Sequence, residues 1–278
     1  MCVSGVTGGR GYAAAMSRKR LDALLAERGL FETRSRAAAA VLAGEVRVAG
    51  EGRRSAKPGQ MVTDDVAVEL DERPRYVSRG GRKLENALAA LEFDPAGRLC
   101  LDVGASTGGF TDCLIQRGAE HVVALDVAYG ELDWGLRNDP RVTVIERQNA
   151  RALEPAALPY RPDLVVVDVS FISLAKVLPS VLATTAPAWD CLALVKPQFE
   201  VGRERVGKGG VVRTAAARRD ALVAVGEWAR AAGHAVMGYA SSSLPGPAGN
   251  RESFVWLAEA GRAGAVDSVE AAAREVER

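Results

Sequence analysis

Short apolar segments alternate with amphipathic stretches between residues 76 and 258, and this alternation constrains the fold more than any other feature. Strands are predicted at 99–103, 121–125, 142–145, 164–167, 191–195 and 254–257. Helices are predicted between several of them, at 83–91, 111–117, 174–184 and 215–232. Strands that alternate with helices form a mostly parallel, doubly wound α/β sheet. Such a sheet binds its ligands beyond the carboxyl ends of its strands.

A glycine-rich segment follows the first of these strands and leads into a helix. Residues 102–111 read DVGASTGGFT, and glycines there allow the backbone to approach a ligand closely. The next strand ends in Asp126, where a carboxylate can accept hydrogen bonds from two ribose hydroxyls. The two features together predict a site for a nucleoside-containing cofactor.

Two classes of cofactor compete for this loop. A dinucleotide site requires the spacing G-x-G-x-x-G, with a pyrophosphate at the helix N-terminus, but Ser106 stands where the second glycine belongs. Asp102 would repel a pyrophosphate, whereas it suits a cationic ligand that carries an amino acid. S-adenosylmethionine has an ammonium, a sulfonium and a ribose, and the loop favours this cofactor.

Four further polar residues stand where a packed domain does not need them. Lys83 begins a predicted helix, and because cations are disfavoured near helix N-termini, it is expected to have another partner. Asp168 and Lys196 each follow a strand, and Glu252 comes just before the last strand. Each could be a surface charge when taken singly. Three of them beside the ends of strands indicate one site at the cofactor crevice.

The first part of the chain is basic and its pattern predicts a small α+β unit. Residues 17–83 hold 15 Lys and Arg against 10 Asp and Glu, whereas residues 84–278 hold 20 against 25. Helices are predicted from a Ser17 cap to Gly29 and from a Thr33 or Ser35 cap to Gly44, and strands at 45–48 and 66–70. The charge suits a polyanionic partner, although a solvated surface has the same composition.

This unit resembles the S4-type RNA-binding domain. The matching residues are Arg20-Leu21-Asp22, Gly29-Leu30, Arg34-Ser35-Arg36, Gly44-x-Val46-x-Val48-x-Gly50 and Lys57-Pro58-Gly59. The resemblance implies phosphate contacts to structured RNA, which give affinity and orientation but little base reading. The candidate RNA-binding residues are Arg18, Lys19, Arg20, Arg34, Arg36 and Lys57, with Arg79 in the following segment.

The body strongly resembles the FtsJ-like ribose 2′-O-methyltransferases, and the whole chain is similar to the TlyA (haemolysin A-like) family, which joins an S4-type domain to such a body. The matching segments are 78–84, 102–111, 126–130, 136–142, 149–151, 168–174, 195–202 and 245–250. The resemblance implies a Rossmann-like class I methyltransferase domain. It also implies a catalytic tetrad of Lys83, Asp168, Lys196 and Glu252, and methylation of cytidine ribose in 16S or 23S ribosomal RNA within ribosomal subunits.

The residues expected to contact the cofactor are Asp102, Gly104, Ala105, Ser106, Thr107, Gly108, Gly109, Phe110, Asp126, Val127 and Asn149. The expectation that Asn149 contacts the cofactor depends on the resemblance more than on spacing. Phe171 and Tyr129 could stack on a flipped base or on adenine, although aromatic residues beside strand ends are as often core. The basic, glycine-rich stretch 203–208 could contact RNA or simply be solvated.

The expected reaction is an in-line attack of a ribose oxygen on the sulfonium methyl group. The ribose hydroxyl is a very weak acid, so its proton must be removed or steered away. Lys196 is the candidate for this role. A free lysine has a pKa of about 10.4 and is mostly charged at neutral pH. Lys196 acts either as a base or as a cation that orients the hydroxyl and stabilises the developing alkoxide.

Other classes of protein fit the composition less well. Four cysteines without C-x-x-C spacing and two histidines argue against a disulfide framework or a metal site, and they suit the reducing cytoplasm. Base-amine methylation commonly uses a D/N-P-P-Y segment where this chain has Asp168-Val-Ser-Phe171. Cys100, Cys113 and Cys191 are expected in the core rather than as nucleophiles of C5 methylation. Two rivals are a non-catalytic RNA-binding protein and a membrane-active haemolysin, for which no membrane segment is found.

The predicted organisation has five parts. Residues 1–16 are a disordered leader, 17–71 the S4-type domain, 72–77 a linker, 78–258 the methyltransferase domain and 259–278 a tail. The tail's alternating charges indicate a short helix, to which the sequence assigns no function.

Overall fold

The structure, a computed structural model, describes residues 18–42, 46–49, 56–70 and 75–277. The chain forms two compact units, Met1–Arg73 and Pro74–Arg278. The predicted leader, the Ser17 cap and the Gly44 helix end lie outside the described residues.

The described part of the first unit has two short helices and two small antiparallel sheets. Its elements are β1 (Arg18–Arg20), α1 (Leu21–Glu27), α2 (Arg34–Leu42), β2 (Val46–Val48), β3 (Met61–Thr63) and β4 (Val68–Leu70). Strand β1 pairs with β3, and β2 pairs with β4. Leu21, Leu25 and Val41 are buried between the helices and the sheets. The α+β prediction for this unit is confirmed.

Two details of that prediction need correction. Residues 18–20 form a strand, so the first helix begins at Leu21 rather than next to Ser17. Strand β3 was missed as well, because a three-residue strand has too few positions for an alternating pattern and depends on a partner about 40 residues away. The second helix begins as predicted, since the Arg36 backbone N–H donates to the Thr33 hydroxyl at 3.2 Å.

The second unit has a seven-stranded sheet with helices on both faces. Its strands are β5 (Leu99–Val103), β6 (His121–Leu125), β7 (Val142–Ile145), β8 (Leu164–Val167), β9 (Asp190–Val195), β10 (Ala235–Pro245) and β11 (Arg251–Ala258). Its helices are α3 (Arg79–Ala90), α4 (Gly109–Gln116), α5 (Trp134–Arg137), α6 (Leu178–Leu182), α7 (Pro197–Glu200), α8 (Ala215–Ala231) and α9 (Val269–Val276). The predicted mostly parallel, doubly wound sheet is confirmed.

The strand order is β10-β11-β9-β8-β5-β6-β7. Neighbouring strands from β9 to β7 run parallel, whereas β11 is antiparallel to both β9 and β10. The beginning of β11 therefore lies at the same edge as the carboxyl ends of the parallel strands. Cys100, Cys113 and Cys191 are buried in the core, as predicted.

Several elements of the second unit differ from the sequence prediction. Strand β11 begins at Arg251, so Glu252 lies inside it rather than before it, and the short helices α5 and α7 were not predicted. Strand β10 was missed because Gly238 and a run of serines interrupt its apolar alternation. Helix α3 begins at Arg79, four residues earlier than predicted, although Gly80 and Gly81 disfavour a helix. Gly81 lies against the buried Tyr76 ring, where any side chain would collide. The helix predicted at 174–184 divides into a 3-10 turn, Leu174–Lys176, and the short helix α6.

The predicted tail packs on the sheet domain. Val269 and Ala273 of α9 are buried in the core with β10 and α8. Near the end of the chain, Glu277 accepts a hydrogen bond from the Arg218 Nε at 2.7 Å, and both side chains are buried. The short helix expected in this segment is confirmed.

Candidate active site

A buried ion pair joins α3 to the beginning of β11. The Lys83 Nζ lies 2.5 Å from the Glu252 Oε2, and the two side chains are 8% and 1% exposed. Ser78 caps α3 by accepting from the Gly80 N–H. Lys83 has the partner that was expected, although it is the fifth residue of α3 and does not begin the helix.

A second ion pair lies at the ends of β8 and β9. The Lys196 Nζ lies 2.5 Å from the Asp168 Oδ1 and donates a hydrogen bond to the Ser170 Oγ at 2.9 Å. The contact with Asp168 has the distance of an ion pair without the angles of a hydrogen bond, since Asp168 Oδ1 accepts no hydrogen bond. The adjacent parallel strands bring the two residues together.

Both ion pairs line one cavity of about 480 Å³ at the carboxyl edge of the sheet. The lining residues are Ser78, Arg79, Gly80, Lys83, Gly104, Ala105, Ser106, Thr107, Gly109, Phe110, Asp168, Ser170, Phe171, Lys196, Gln198, Phe199, Gly210, Gly246, Pro247, Ala248, Asn250 and Glu252. The structure thus brings all four tetrad residues together with most of the glycine-rich loop.

The glycine-rich loop is shaped by close backbone approaches. Gly104 has a φ of +85°, and a side chain there would collide with the Asp168 carbonyl. A side chain at Gly109 would collide with Ser78 and the start of α3. Gly108 has a φ of +96° and packs against two leucines outside the cavity lining. These glycines hold the loop directly beside Asp168 and α3.

Asp102 lies beneath the loop rather than on the cavity wall. It is fully buried, and its Oδ2 accepts from the Thr111 N–H at 2.9 Å and the Thr111 hydroxyl at 2.7 Å. Burial raises the pKa of Asp102 to about 7. In this structure Asp102 fixes the start of α4 and is not among the residues that line the cavity.

Asp126 lies next to the large cavity, at the end of β6. Its two carboxylate oxygens accept from the N–H groups of Ser106 and Ala128, each at 2.8 Å. Asp126 lines a smaller cavity of about 10 Å³ that shares Ala105 and Ser106 with the large one. The exposed Glu131 closes this smaller cavity by accepting from the Ser106 hydroxyl at 3.0 Å.

The other expected contacts lie apart from the large cavity. Val127 is 71% exposed. Asn149 is exposed, and its side chain accepts from the Arg151 N–H. Tyr129 is also exposed and lies under the Arg147 guanidinium, 4.3 Å from the ring centre. None of these three lines the large cavity.

Phe171 does line the cavity and is the most exposed large apolar side chain of the described residues, at 91%. Its φ is +65°, and its ring centre lies 5.3 Å from that of Phe199. A large aromatic side chain is rarely held in water in this conformation without a partner. Phe171 therefore lies on the cavity wall, outside the packed core.

Two residues that sequence reasoning left out hold the walls of the cavity. Glu200 accepts from the Ser173 hydroxyl at 2.7 Å and the Leu174 N–H at 2.8 Å, and burial raises its pKa. Asn250 is buried, accepts from the Val212 N–H and donates to the Gly210 carbonyl. Both lie inside segments that resemble the TlyA family, so the signal was present.

The candidate RNA-binding residues divide between the units. Arg79 lies on the second unit and lines the cavity. Arg18, Lys19, Arg20, Arg34, Arg36 and Lys57 lie on the first unit. Within that unit, Lys19 pairs with Glu27, Arg36 with Glu32, and Arg20 and Arg34 with Asp22.

Comparison with known proteins agrees with this geometry. The sequence pattern of the FtsJ-like methyltransferases matches residues 76–259, and that of the S4 domain matches residues 19–64. The 16S/23S rRNA (cytidine-2′-O)-methyltransferase TlyA of Mycobacterium tuberculosis is 51% identical over 242 residues, which cover 86% of this chain and 90% of the relative. The chain belongs to the TlyA family of methyltransferases.

Other members of the TlyA family carry different names. YqxC of Bacillus subtilis, named as a candidate rRNA methyltransferase, is 45% identical over 86% of this chain and 85% of its own. A solved structure from Streptococcus thermophilus, named as a candidate hemolysin, has a TM-score of 0.69 and 39% identity, and it covers 94% of this chain and 96% of that one. Over the described residues of this TlyA family member, no helix combines the length and apolar character that crossing a membrane requires.

Proposed function

We propose that this chain transfers a methyl group from S-adenosylmethionine to the ribose 2′-oxygen of a cytidine in 16S or 23S rRNA within ribosomal subunits, in the cytoplasm. In this proposal residues 17–71 bind RNA, 72–77 link the units and 78–258 carry the reaction. The observation that carries it is the pair of lysine–carboxylate contacts, Lys83–Glu252 and Lys196–Asp168, on one cavity beside the glycine-rich loop.

The residues at the carboxyl edge fit S-adenosylmethionine. Asp126 uses each oxygen for one backbone N–H, and a carboxylate has about four lone-pair sites, so both oxygens can still accept from ribose hydroxyls. Glu131 is exposed and can move aside from Ser106 to admit the nucleoside. Residues 104–107, Gly109 and Phe110 line the large cavity and would border the cofactor, and Val127 and Asn149 would contact it outside that cavity. When bound, the cofactor supplies a methyl group on a cationic sulfur.

Lys196 acts on the ribose hydroxyl. An ammonium has three N–H donors. Ser170 accepts from one of them, and the Asp168 carboxylate lies at ion-pair distance. A remaining N–H can donate to the ribose oxygen, where it would orient a lone pair toward the methyl group and stabilise the negative charge that develops, while the hydroxyl proton is released to solvent. Asp168 and Ser170 fix the direction of this donor. Orientation of this kind supplies a large part of the rate enhancement of such transfers.

Lys83 and Glu252 line the same cavity and would support the same hydroxyl. Their pair is more deeply buried than Lys196–Asp168, so it is the more rigid of the two. Lys83 contributes positive charge near the developing alkoxide, and Glu252 compensates that charge while the site is empty. The base stacks on Phe171 after it is flipped toward the cavity.

Methyl transfer to ribosomal subunits tests the proposal. Purified protein is incubated with tritiated S-adenosylmethionine and with subunits from a strain that lacks the gene, and Lys196→Ala is the matched variant. We expect tritium in rRNA, with the linkage beside the modified ribose resistant to alkali, and no incorporation with Lys196→Ala although cofactor binding persists.

Three results would contradict it. Incorporation by Lys196→Ala near the wild-type rate removes Lys196 from the mechanism. No incorporation into either subunit, despite cofactor binding, indicates a protein that binds RNA without this reaction. Leakage of liposomes without methyl transfer would support the haemolysin name instead.

A further inference from the structure

A buried acidic residue of the first unit contacts two of its basic side chains. Asp22 is in the first turn of α1, and its side chain is 5% exposed. The Arg20 Nε donates to the Asp22 Oδ1 at 3.1 Å and the Arg20 Nη2 donates to the Oδ2 at 2.8 Å. The Arg34 Nε lies 3.2 Å from the same Oδ1. One carboxylate therefore contacts two arginines from separate elements, Arg20 at the end of β1 and Arg34 at the start of α2.

The two arginines face solvent while their acidic partner does not. The side chains of Arg20 and Arg34 are 47% and 55% exposed. Arg20 approaches Asp22 through its Nε and Nη2, and Arg34 through its Nε. The remaining guanidinium N–H groups are available to an outside ligand. These two adjacent guanidinium groups have the geometry that binds phosphate oxygens.

The turn at residues 57–60 supports the same arrangement. The Asp22 N–H donates to the Pro58 carbonyl at 2.9 Å, which fixes the turn against α1. A side chain at Gly59 would come within 3.2 Å of the Arg20 Nη1 and Nη2. Gly59 thus leaves room for the Arg20 guanidinium to lie flat against the turn.

We propose that Asp22 is a positioning residue for RNA binding, which presents Arg20 and Arg34 together as one site for backbone phosphates. The inference rests on the proposed function, because it takes rRNA as the partner. This inference and net charge alone predict opposite changes in RNA affinity when Asp22 is replaced. Net charge alone predicts that removal of an acidic residue tightens RNA binding. Positioning predicts that removal of Asp22 weakens it, because two long side chains must then be ordered on binding.

Among the described residues of this unit, the other acidic side chains lack this arrangement. Glu27 and Glu32 each pair with one basic side chain and are themselves 58% and 79% exposed, and such surface pairs impose little order. Asp22 is charged at neutral pH, since the hydrogen bond from Arg20 lowers its pKa to about 2. Asp65 is exposed, and none of the described residues contacts its carboxylate by a hydrogen bond or an ion pair. Asp65→Asn is therefore the matched control, with the same loss of charge.

The test measures binding of the full chain to transcripts of small- and large-subunit rRNA by filter binding over a range of KCl concentrations. We expect Asp22→Asn to raise Kd about tenfold, because two arginines lose their fixed orientation. The slope of log K against log salt should become shallower by about one to two, because one or two phosphates are then no longer neutralised by these arginines. Asp65→Asn should keep or lower Kd.

Gly59→Ala gives a second variant that changes no charge. Its methyl group crowds the Arg20 guanidinium, and we expect Kd to rise while the cofactor affinity, measured by calorimetry, stays at the wild-type value. If Asp22→Asn does not fold, Gly59→Ala decides the question by the same comparison. RNA binding by Asp22→Asn or Gly59→Ala as tight as that of Asp65→Asn would overturn the inference. Tritium transfer by the wild type in the subunit assay reports on the proposed function separately.

Discussion

The Lys83 ammonium and the Glu252 carboxylate lie 2.5 Å apart although 169 residues separate them in the chain. The parallel sheet with one antiparallel strand makes this contact, because β11 begins where β5, β8 and β9 end. The pair is buried on a cavity wall, so its charges affect both the stability of the fold and the reaction. These two effects can be separated by mutation.

Glu252→Ala leaves the buried Lys83 without a partner. We expect the free energy of unfolding to fall by about 3–5 kcal/mol, the usual cost of an uncompensated buried charge. Denaturant unfolding measures the change. The double variant Lys83→Met/Glu252→Leu replaces the pair with apolar groups and should recover most of the stability, yet remain inactive in methyl transfer. An active double variant would show that the pair is purely structural.

Asp126→Asn removes a charge that the proposed cofactor site requires. Charge-assisted hydrogen bonds from ribose hydroxyls and from the loop would be lost, and we expect the Kd for S-adenosylmethionine to rise roughly ten- to hundredfold. Calorimetric titration with the cofactor measures it. Glu154→Gln, which removes an exposed carboxylate elsewhere in the second unit, is the control. Equal affinities in the two variants would exclude Asp126 from the site.

The raised pKa of Asp102 makes stability depend on pH. Its pKa is 3.8 in the unfolded chain and about 7 in the folded protein. Between these values the unfolded state releases a proton that the folded state retains, so the free energy of unfolding falls as the pH rises, and it levels off above about pH 7.

The variant Asp102→Asn has no such proton and keeps an oxygen that can accept from Thr111. We expect the stability of the wild type, relative to this variant, to decline from pH 4 to pH 7 by a few kcal/mol. Denaturant unfolding at a series of pH values provides the comparison. If the free energies of unfolding of the two proteins change in parallel with pH, Asp102 has a pKa near its ordinary value.

Phe171→Ala should lower the activity toward the RNA substrate and leave the affinity for the cofactor unchanged. Stacking of one base on an aromatic ring is worth about 1–3 kcal/mol, so we expect kcat/KM for ribosomal subunits to fall roughly tenfold or more. Phe171→Trp keeps a stacking surface and should retain most of the activity. A loss of S-adenosylmethionine affinity in Phe171→Ala would instead assign this ring to the cofactor.

Several features of the site could be predicted from the sequence because they depend on local pattern. Strands β5, β6, β7 and β8 have the predicted bounds, since each is a short apolar run bounded by turn residues. Asp168 and Lys196 were predicted as site residues because parallel strands carry ligand-facing residues at their carboxyl ends. Helix α2 begins at its Thr33 cap, which is also a local interaction.

Other features depend on contacts between distant segments. Strand β10 has a weak alternating pattern and is held by its register with β11. The strands β1 and β3 exist because they pair with each other. Glu200 and Asn250 became site residues only when their hydrogen bonds to loops at the cavity were known.

The sequence by itself determined the parallel sheet, the glycine-rich loop and the identity of the four charged residues. Hydrophobic periodicity and strand ends depend on residues that are close together in the chain. The tertiary structure decided which charges pair, that Asp102 lies beneath the loop, and that Asp22 holds two arginines. The physical reason is that burial and pairing arise from the packing of separate segments, and the energy of a charge depends on its surroundings rather than on its position in the chain.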